Sequence, residues 1–244
     1  MHRYERMRAV LEKLRPHLLP LLVLTGATFA VYGRILGHDF LSNWDDNRYV
    51  LENVDIQGFG WDRIKAVFTS YYVGNYAPVH LLSYMLDYAL WGLWPGGYLL
   101  INILLHTVNG LLLYRLFLQL VSGRIGAFFG AAFFLLHPVQ VESVAWVSQR
   151  KNVLAMFFFL VAWELYRSYR DSRGRRAGGR YAASLVALLL ALLAKSVTVI
   201  FLPLMVLFDR CYPSTSRRFS IGDKIPYLLA TAAVAVMAIL SQTP

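Results

Sequence analysis

Long apolar runs alternate with short polar intervals along this chain. Residues 17–36, 98–120, 153–166 with their flanks, 181–207 and 227–240 approach or exceed the ~20 apolar residues that a helix needs to cross the hydrocarbon core. A shorter run, 125–136, sits between the second and third of these. Together they predict an all-α, polytopic membrane protein with about seven transmembrane helices, near 17–36, 97–120, 125–136, 153–166, 181–194, 197–208 and 227–240. Lys195-Ser196 interrupts the run from 181 to 208 and predicts two crossings there; one unbroken buried segment would invert everything after it. In the third run, Gly126 and Gly130 form a small-x3-small face suited to close helix contact.

The longest polar interval, 37–76, changes the picture from membrane material to candidate chemistry. It holds Asp39, Asp45, Asp46, Glu52, Asp55 and Asp62, six of the 14 acidic residues. Adjacent carboxylates repel, so Asp45 and Asp46 belong where water, a cation, a helix N-terminus or a proton-donating substrate stabilises them. The plainer reading is that Asp46 caps a short surface helix. Residues 59–73 and 78–93 read as two interfacial helices, because Leu81, Leu82, Met85, Leu86, Leu90 and Trp91 are mixed with His80, Ser83 and Asp87. The region 37–96 is thus an outer acidic loop within a single membrane domain, 1–244.

Charge then sets orientation. The net +10 is carried in short intervals between apolar runs, so it reads as topology and not as a nucleic-acid surface. Arg3, Arg6, Arg8, Lys13 and Arg15 precede the first span, which places the amino terminus in the cytoplasm by the positive-inside rule. Arg115, Arg124, the cluster from Arg167 to Arg180, Arg210, Arg217, Arg218 and Lys224 complete an inner set of seventeen of the 24 cations. Arg34, Arg48, Arg63, Lys65, Arg150, Lys151 and Lys195 fall outside.

Candidate chemistry follows from what is polar on the outer side. On a helix begun at Pro138, 100 degrees per residue puts Glu142, Trp146 and Arg150 on one face. Lys195 is costly within the membrane, so it snorkels outward or lines a polar cavity; Arg150 and Lys151 either anchor a span or serve the same cavity. Asn102, His106 and Asn109 share a stripe of the second span, where helix-to-helix hydrogen bonding is the plain reading. Glu164 suits an ion pair with Arg167. The single Cys211 excludes an internal disulfide and a cysteine-based zinc cluster. The sequence has no phosphate-cradling glycine loop, no His-Glu-x-x-His and no Gly-x-Ser-x-Gly, which disfavours a nucleotide-driven pump, a helix-borne zinc protease and an ordinary lipase. Outward carboxylates facing outward cations suit transfer from a lipid phosphate to a hydroxyl.

An ordered series of motifs carries a family resemblance. Gly37-His38-Asp39-Phe40, Trp44-Asp45-Asp46, Asn53 and Asp55 are followed by Trp94-Pro95-Gly96-Gly97-Tyr98 with Asn102 and Leu104-Leu105-His106. Then come His137-Pro138-Val139 with Glu142, Val144 and Arg150, and Leu193-Ala194-Lys195 with Thr198-Val199. Over 37–209 the chain resembles the transmembrane and tetratricopeptide-repeat O-mannosyltransferases and their bacterial relatives, of the C-type glycosyltransferase superfamily. The resemblance implies a polyprenyl or dolichyl phosphate sugar donor and a protein hydroxyl acceptor on the outer, periplasmic or lumenal side; no cofactor is expected, because the cations Arg150, Lys151 and Lys195 already supply positive charge for a leaving phosphate. By position, Asp45 or Asp46 is the base, Asp45 preferred. Glu142 positions donor or acceptor, Arg150 and Lys195 hold donor phosphate, and His80, His106 and His137 are supporting candidates. A divalent metal at Asp45 and Asp46 is the less favoured alternative. The chain reads as the amino-terminal part of a longer protein. Two readings from other classes remain: a transporter or lipid flippase using Lys195 and His106 along a path, and a non-catalytic membrane scaffold.

Overall fold

The computed structural model describes residues 2–121, 123–212 and 219–242, with side chains from Arg15 onward. Arg217 and Arg218, and the side chains of Arg3, Arg6, Arg8 and Lys13, lie outside the described residues. Among the described residues the chain is all-helical. Its α-helices are α1 (His2–Tyr32), α2 (Trp61–Thr69), α3 (Pro78–Trp91), α4 (Pro95–Leu120), α5 (Arg124–Leu136), α6 (Val141–Ala145), α7 (Arg150–Arg170), α8 (Arg175–Ala194), α9 (Phe201–Cys211) and α10 (Ile225–Leu240). Proline marks the starts of α3 and α4, where a missing N–H costs nothing. Gly92, at φ 58°, lets the chain turn sharply between them.

Helix contacts sort the bundle into two ends. At one, Leu36 meets Gly96, whose absent Cβ would come within 2.8 Å of the Leu36 carbonyl oxygen. The N-terminus of α7, Lys195 and the last turn of α10 gather at this same end, under the 37–77 segment. Ser241 Oγ donates to the Gly74 carbonyl at 3.3 Å, and Gln242 Nε2 donates to the same oxygen. At the other end His17 Nδ1 meets Tyr114 OH at 3.1 Å. There Asp209, near the end of α9, joins the last residue of α7 to the residue before α10: Arg170 at 2.7 Å and Lys224 at 2.7 Å, with Tyr166 OH donating at 2.6 Å.

Among the described residues four helical segments are long and apolar enough to cross a membrane: Arg15–Gly37, Pro95–Leu120, Arg175–Ala194 and Gly222–Leu240. A fifth arises if Arg124–Leu136 and Pro138–Ala145, bent by 47°, act as one. The expected crossings at 153–166 and 197–208 do not meet that test. Lys151, Glu164, Arg167 and Arg170 stud the two ends of α7, and α9 is only 11 residues. Both still run from one end of the bundle to the other. With the turn Ser196–Ile200 before it, α9 covers roughly 25 Å at normal helical rise. The chain does break at Lys195, which is extended (φ −160°, ψ 124°), so the unbroken alternative falls.

Two local expectations change. α3 is not a surface helix: Val79, His80, Leu81, Tyr84, Met85 and Asp87 are buried, and it packs on α8 and into the core around Tyr84 and Tyr98. α4 and α5 approach closely at two glycines, one on each helix: a Cβ on Gly110 would lie 2.3 Å from Leu135, and one on Gly130 would lie 2.9 Å from Phe117, whereas Gly126 faces only Val121 in the preceding turn.

Candidate active site

The site begins with a break that the periodicity hid. After α6 the chain is extended at Trp146 (φ −108°, ψ 122°) and turns through Val147–Gln149 before α7 begins. Three contacts hold that break: Asn102 Nδ2 donates to the carbonyls of Val144 (3.2 Å) and Trp146 (3.3 Å), and Tyr84 OH donates to Val147 at 2.7 Å. Glu142 and Arg150 therefore do not share a face. Glu142 is exposed, whereas Arg150 is the largest fully buried side chain described.

Arg150 is consumed by the fold. Nη1 donates to Asp87 Oδ2, Nε to Asn102 Oδ1 at 2.8 Å and Nη2 to the Tyr98 carbonyl at 2.5 Å. The guanidinium lies between the Tyr84 and Tyr98 rings, 5.0 and 5.7 Å from their centroids. Burial pushes the Asp87 carboxyl up to about 6, with the Arg150 charge opposing the shift. The expected contact of Arg150 with donor phosphate does not fit this saturation; the adjacent Lys151 is the cation that faces open space. Asp87, its partner, was legible only as one acid on a largely apolar helix.

The acidic pair divides in the same way. Asp46 is buried (1% exposed): Oδ2 accepts from Leu41 N at 3.0 Å, and Oδ1 accepts from Ser148 N at 2.9 Å and from Ser148 Oγ. Ser148 precedes α7, so Asp46 satisfies a donor of the kind left unpaired at helix starts. It caps the turn Val147–Gln149 that leads into α7, a hundred residues further along the chain, and not the short helix Asn47–Leu51 that follows it. Asp45 remains partly exposed beside it.

Lys151 and Lys195 line a cleft of ≈ 460 Å³ with Asn75, Tyr76, Ser196 and the α10 end at Ser241 and Gln242. Lys151 Nζ lies 5.3 Å from the Tyr49 ring centroid. Burial lowers its pKa and Lys195 lowers it further, while Asp45 and Glu142 work in the opposite direction. Lys195 is lowered by burial and raised by Glu142. The two lysines and two acids thus share one electrostatic neighbourhood. Asn152 orients the second lysine: its Oδ1 accepts from Lys195 Nζ, while its Nδ2 donates to Ser143 Oγ at 3.1 Å and Gln149 Oε1 at 2.9 Å. Sequence reasoning missed Asn152, and it placed Lys151 among the outer cations without separating it from Arg150. On its other side Lys195 borders an apolar slot of ≈ 220 Å³ lined by Ala155, Met156, Phe159, Val197 and Ile200.

The histidines serve the scaffold. His80 is fully buried, and its Nε2 meets Tyr84 OH at 2.7 Å. Because the Tyr84 proton goes to Val147, His80 must donate, which fixes its Nε2–H tautomer. Burial first, then Lys151, Arg150 and Lys195, lower its pKa well below the usual value and keep it neutral. His106 Nε2 bonds the Leu135 carbonyl at 3.0 Å, tying α4 to α5. His137 Nδ1 accepts from Val139 N at 3.2 Å and caps the following turn. Asn109 donates to Val153 at 2.8 Å, so the polar stripe of α4 is spent on helix contacts. Among the described residues no cluster of three or more metal-binding side chains occurs.

The chain is 30% identical over 195 residues to protein O-mannosyl-transferase Tmtc1 of Drosophila melanogaster, covering 76% of this chain and 22% of that one. It is 30% identical over 193 residues to Tmtc2 of the same organism (74% and 20%), and 31% identical over 169 residues to human protein O-mannosyl-transferase TMTC2 (64% and 19%). It spans about a fifth of the length of these curated relatives. No family model and no solved structure matches.

Proposed function

We propose, from the kinship of this chain with the protein O-mannosyl-transferases over 76% of its own length, that it forms the membrane-embedded site of a glycosyltransferase. A mannose-like sugar passes there from a polyprenyl or dolichyl phosphate to a protein hydroxyl. The observation that carries this reading is the pairing of Lys151 and Lys195 across one cleft, with Asp45 and Glu142 within electrostatic reach of them.

The roles follow from the chemistry. The two lysines hold the lipid phosphate and stabilise the negative charge that grows on it as the bond to the anomeric carbon breaks. The apolar slot beside Lys195 takes the first part of the lipid chain. Asp45 takes the proton of the acceptor hydroxyl as its oxygen attacks that carbon from the opposite face, so one displacement inverts the configuration. Glu142, exposed on α6, positions the acceptor or the sugar. Asp46 stays a cap. Lys151 and Lys195 already supply positive charge for the leaving phosphate, and a metal at Asp45 would compete with its use as a base; we therefore assign the reaction no metal.

In this reading seven segments traverse the bilayer in the C-type arrangement, with the bent pair α5 and α6 counted once, α7 shielded within the bundle and α9 turning Leu204 and Leu207 outward. The amino terminus is cytoplasmic and the Lys195 end faces the periplasm or lumen. The commitment of Asn102, His106 and Asn109 to helix contacts leaves no polar stripe for a transport path. The deciding experiment is transfer of radiolabelled mannose from a polyprenyl phosphate donor to an acceptor peptide by the full-length protein in liposomes. Incorporation lost in Lys151→Ala and Lys195→Ala is expected, and a protein that binds the donor without transfer points to a scaffold.

A further inference from the structure

Trp44 is the one apolar residue in the stretch Ser42-Asn43-Trp44-Asp45-Asp46-Asn47-Arg48. It is 63% exposed, an unusual position for an indole surrounded by polar side chains. It is not free: its ring stands against Trp146 with centroids 5.6 Å apart and planes at 86°, forming an aromatic corner. Both arms adjoin the chemistry. Trp44 precedes Asp45, and Trp146 lies at the extended break between Glu142 and Lys151, held there by Asn102. Trp146 also keeps an indole N–H that no described residue pairs.

Membrane anchoring explains other aromatics of this end better than it explains Trp44. Phe59, Trp61 and Phe68 are exposed on or beside the amphipathic α2, apolar neighbours together, as an interfacial helix requires. Trp44 has instead two carboxylates, two amides and a hydroxyl as chain neighbours. An exposed ring face beside acceptors and donors suits a hexose: the C–H groups of one sugar face carry partial positive charge and rest on the negative π face, while hydroxyls turn to the polar groups at the rim.

We propose that the Trp44–Trp146 corner is the sugar-binding wall of the site, holding the pyranose ring of the lipid-phosphate donor beside Asp45 while the lysines hold its phosphate. This rests on the donor reading above, and it separates two jobs: the lysines bind the lipid phosphate whatever it carries, and Trp44 recognises the sugar.

The test measures binding of two probes to the full-length protein in detergent, a short-chain polyprenyl phosphate mannose and the same polyprenyl phosphate without sugar. Wild type is expected to prefer the mannosylated lipid by about tenfold, the order of one good aromatic contact. Trp44→Ala should remove that preference while leaving affinity for the bare lipid phosphate unchanged, and Trp44→Phe should restore most of it. Circular dichroism and an unchanged melting temperature for Trp44→Ala establish that the fold survives. Equal weakening of both probes, or no preference in wild type, overturns the sugar wall and leaves Trp44 as a membrane anchor. If neither probe binds wild type, the lipid-phosphate reading fails and this inference falls with it.

Discussion

Arg150 and Asp87, 63 residues apart in sequence, form an ion pair whose side chains are 0% and 4% exposed. Removing one member leaves the other charged and buried, which costs about 3–5 kcal/mol. Arg150→Ala should therefore appear as loss of folded protein, read as a lowered melting temperature and poor yield after detergent extraction. Arg150→Met combined with Asp87→Leu should recover much of that stability. Lys151→Ala, one residue on, should melt as wild type does and lose donor binding.

Asp45 and Asp46 should fail in different ways. Asp45→Asn keeps the shape and removes the base, so turnover should drop by roughly two to four orders of magnitude at an unchanged melting temperature. Asp46→Ala strands the Ser148 and Leu41 donors and should destabilise by about 1–3 kcal/mol. An inactive but fully stable Asp46→Asn beside an active Asp45→Asn would reverse the assignment of the base.

The lowered pKa values of Lys151 and Lys195 give opposite alkaline slopes for binding and stability. As pH rises through their folded values, below the ordinary 10.5, the lysines lose the charge that holds phosphate, and donor affinity should fall. In the same window the unfolded chain binds more protons than the folded one, so these groups make the folded state more stable with rising pH. Titrating polyprenyl phosphate binding and urea unfolding from pH 7 to 10 reads both slopes. Lys151→Gln should flatten each.

Chelation should leave transfer intact. With the leaving phosphate neutralised by Lys151 and Lys195, activity in excess EDTA should match the untreated protein, and manganese or magnesium should not raise it. Complete loss restored by one of those ions would make Asp45 a metal ligand.

Labelling can read the two ends of the bundle. In a Cys211→Ser background, single cysteines at Asp45, Glu142 and Lys195 should react with an impermeant maleimide from the outer side. One at Arg173 should react only from the cytoplasm. Opposite reactivity at 45 and 195 would dissolve the shared site.

Sequence periodicity located the helices because apolar length and proline placement govern them: Pro78 and Pro95 open α3 and α4, and Lys195 breaks the 181–208 run as its charge demands. What it could not reveal was rotation about the helix axis after a hidden break. The extended backbone at Trp146 resets the phase of α7, so counting 100 degrees per residue from Pro138 put Arg150 on the face of Glu142 and could not tell its role from that of Lys151. Long-range partners were invisible for a related reason. Asp46 with Ser148, Lys195 with Asn152 and Arg150 with Asp87 are separated by 102, 43 and 63 residues, and no local pattern links them.

Asp209 gathers Arg170, Lys224 and Tyr166 at one end of the bundle, while the opposite end of α10 meets the 72–75 turn through side-chain donors to a single carbonyl, that of Gly74. The molecule is therefore mechanically uneven. Buried ions rivet α7, α9 and α10 together at their far ends, and a few solvent-accessible hydrogen bonds fasten the near end. α10 is thus held by charge where it begins and by neutral hydrogen bonds where it ends beside the Lys195 cleft, so local opening of this helix is expected to start at the cleft and not at Asp209.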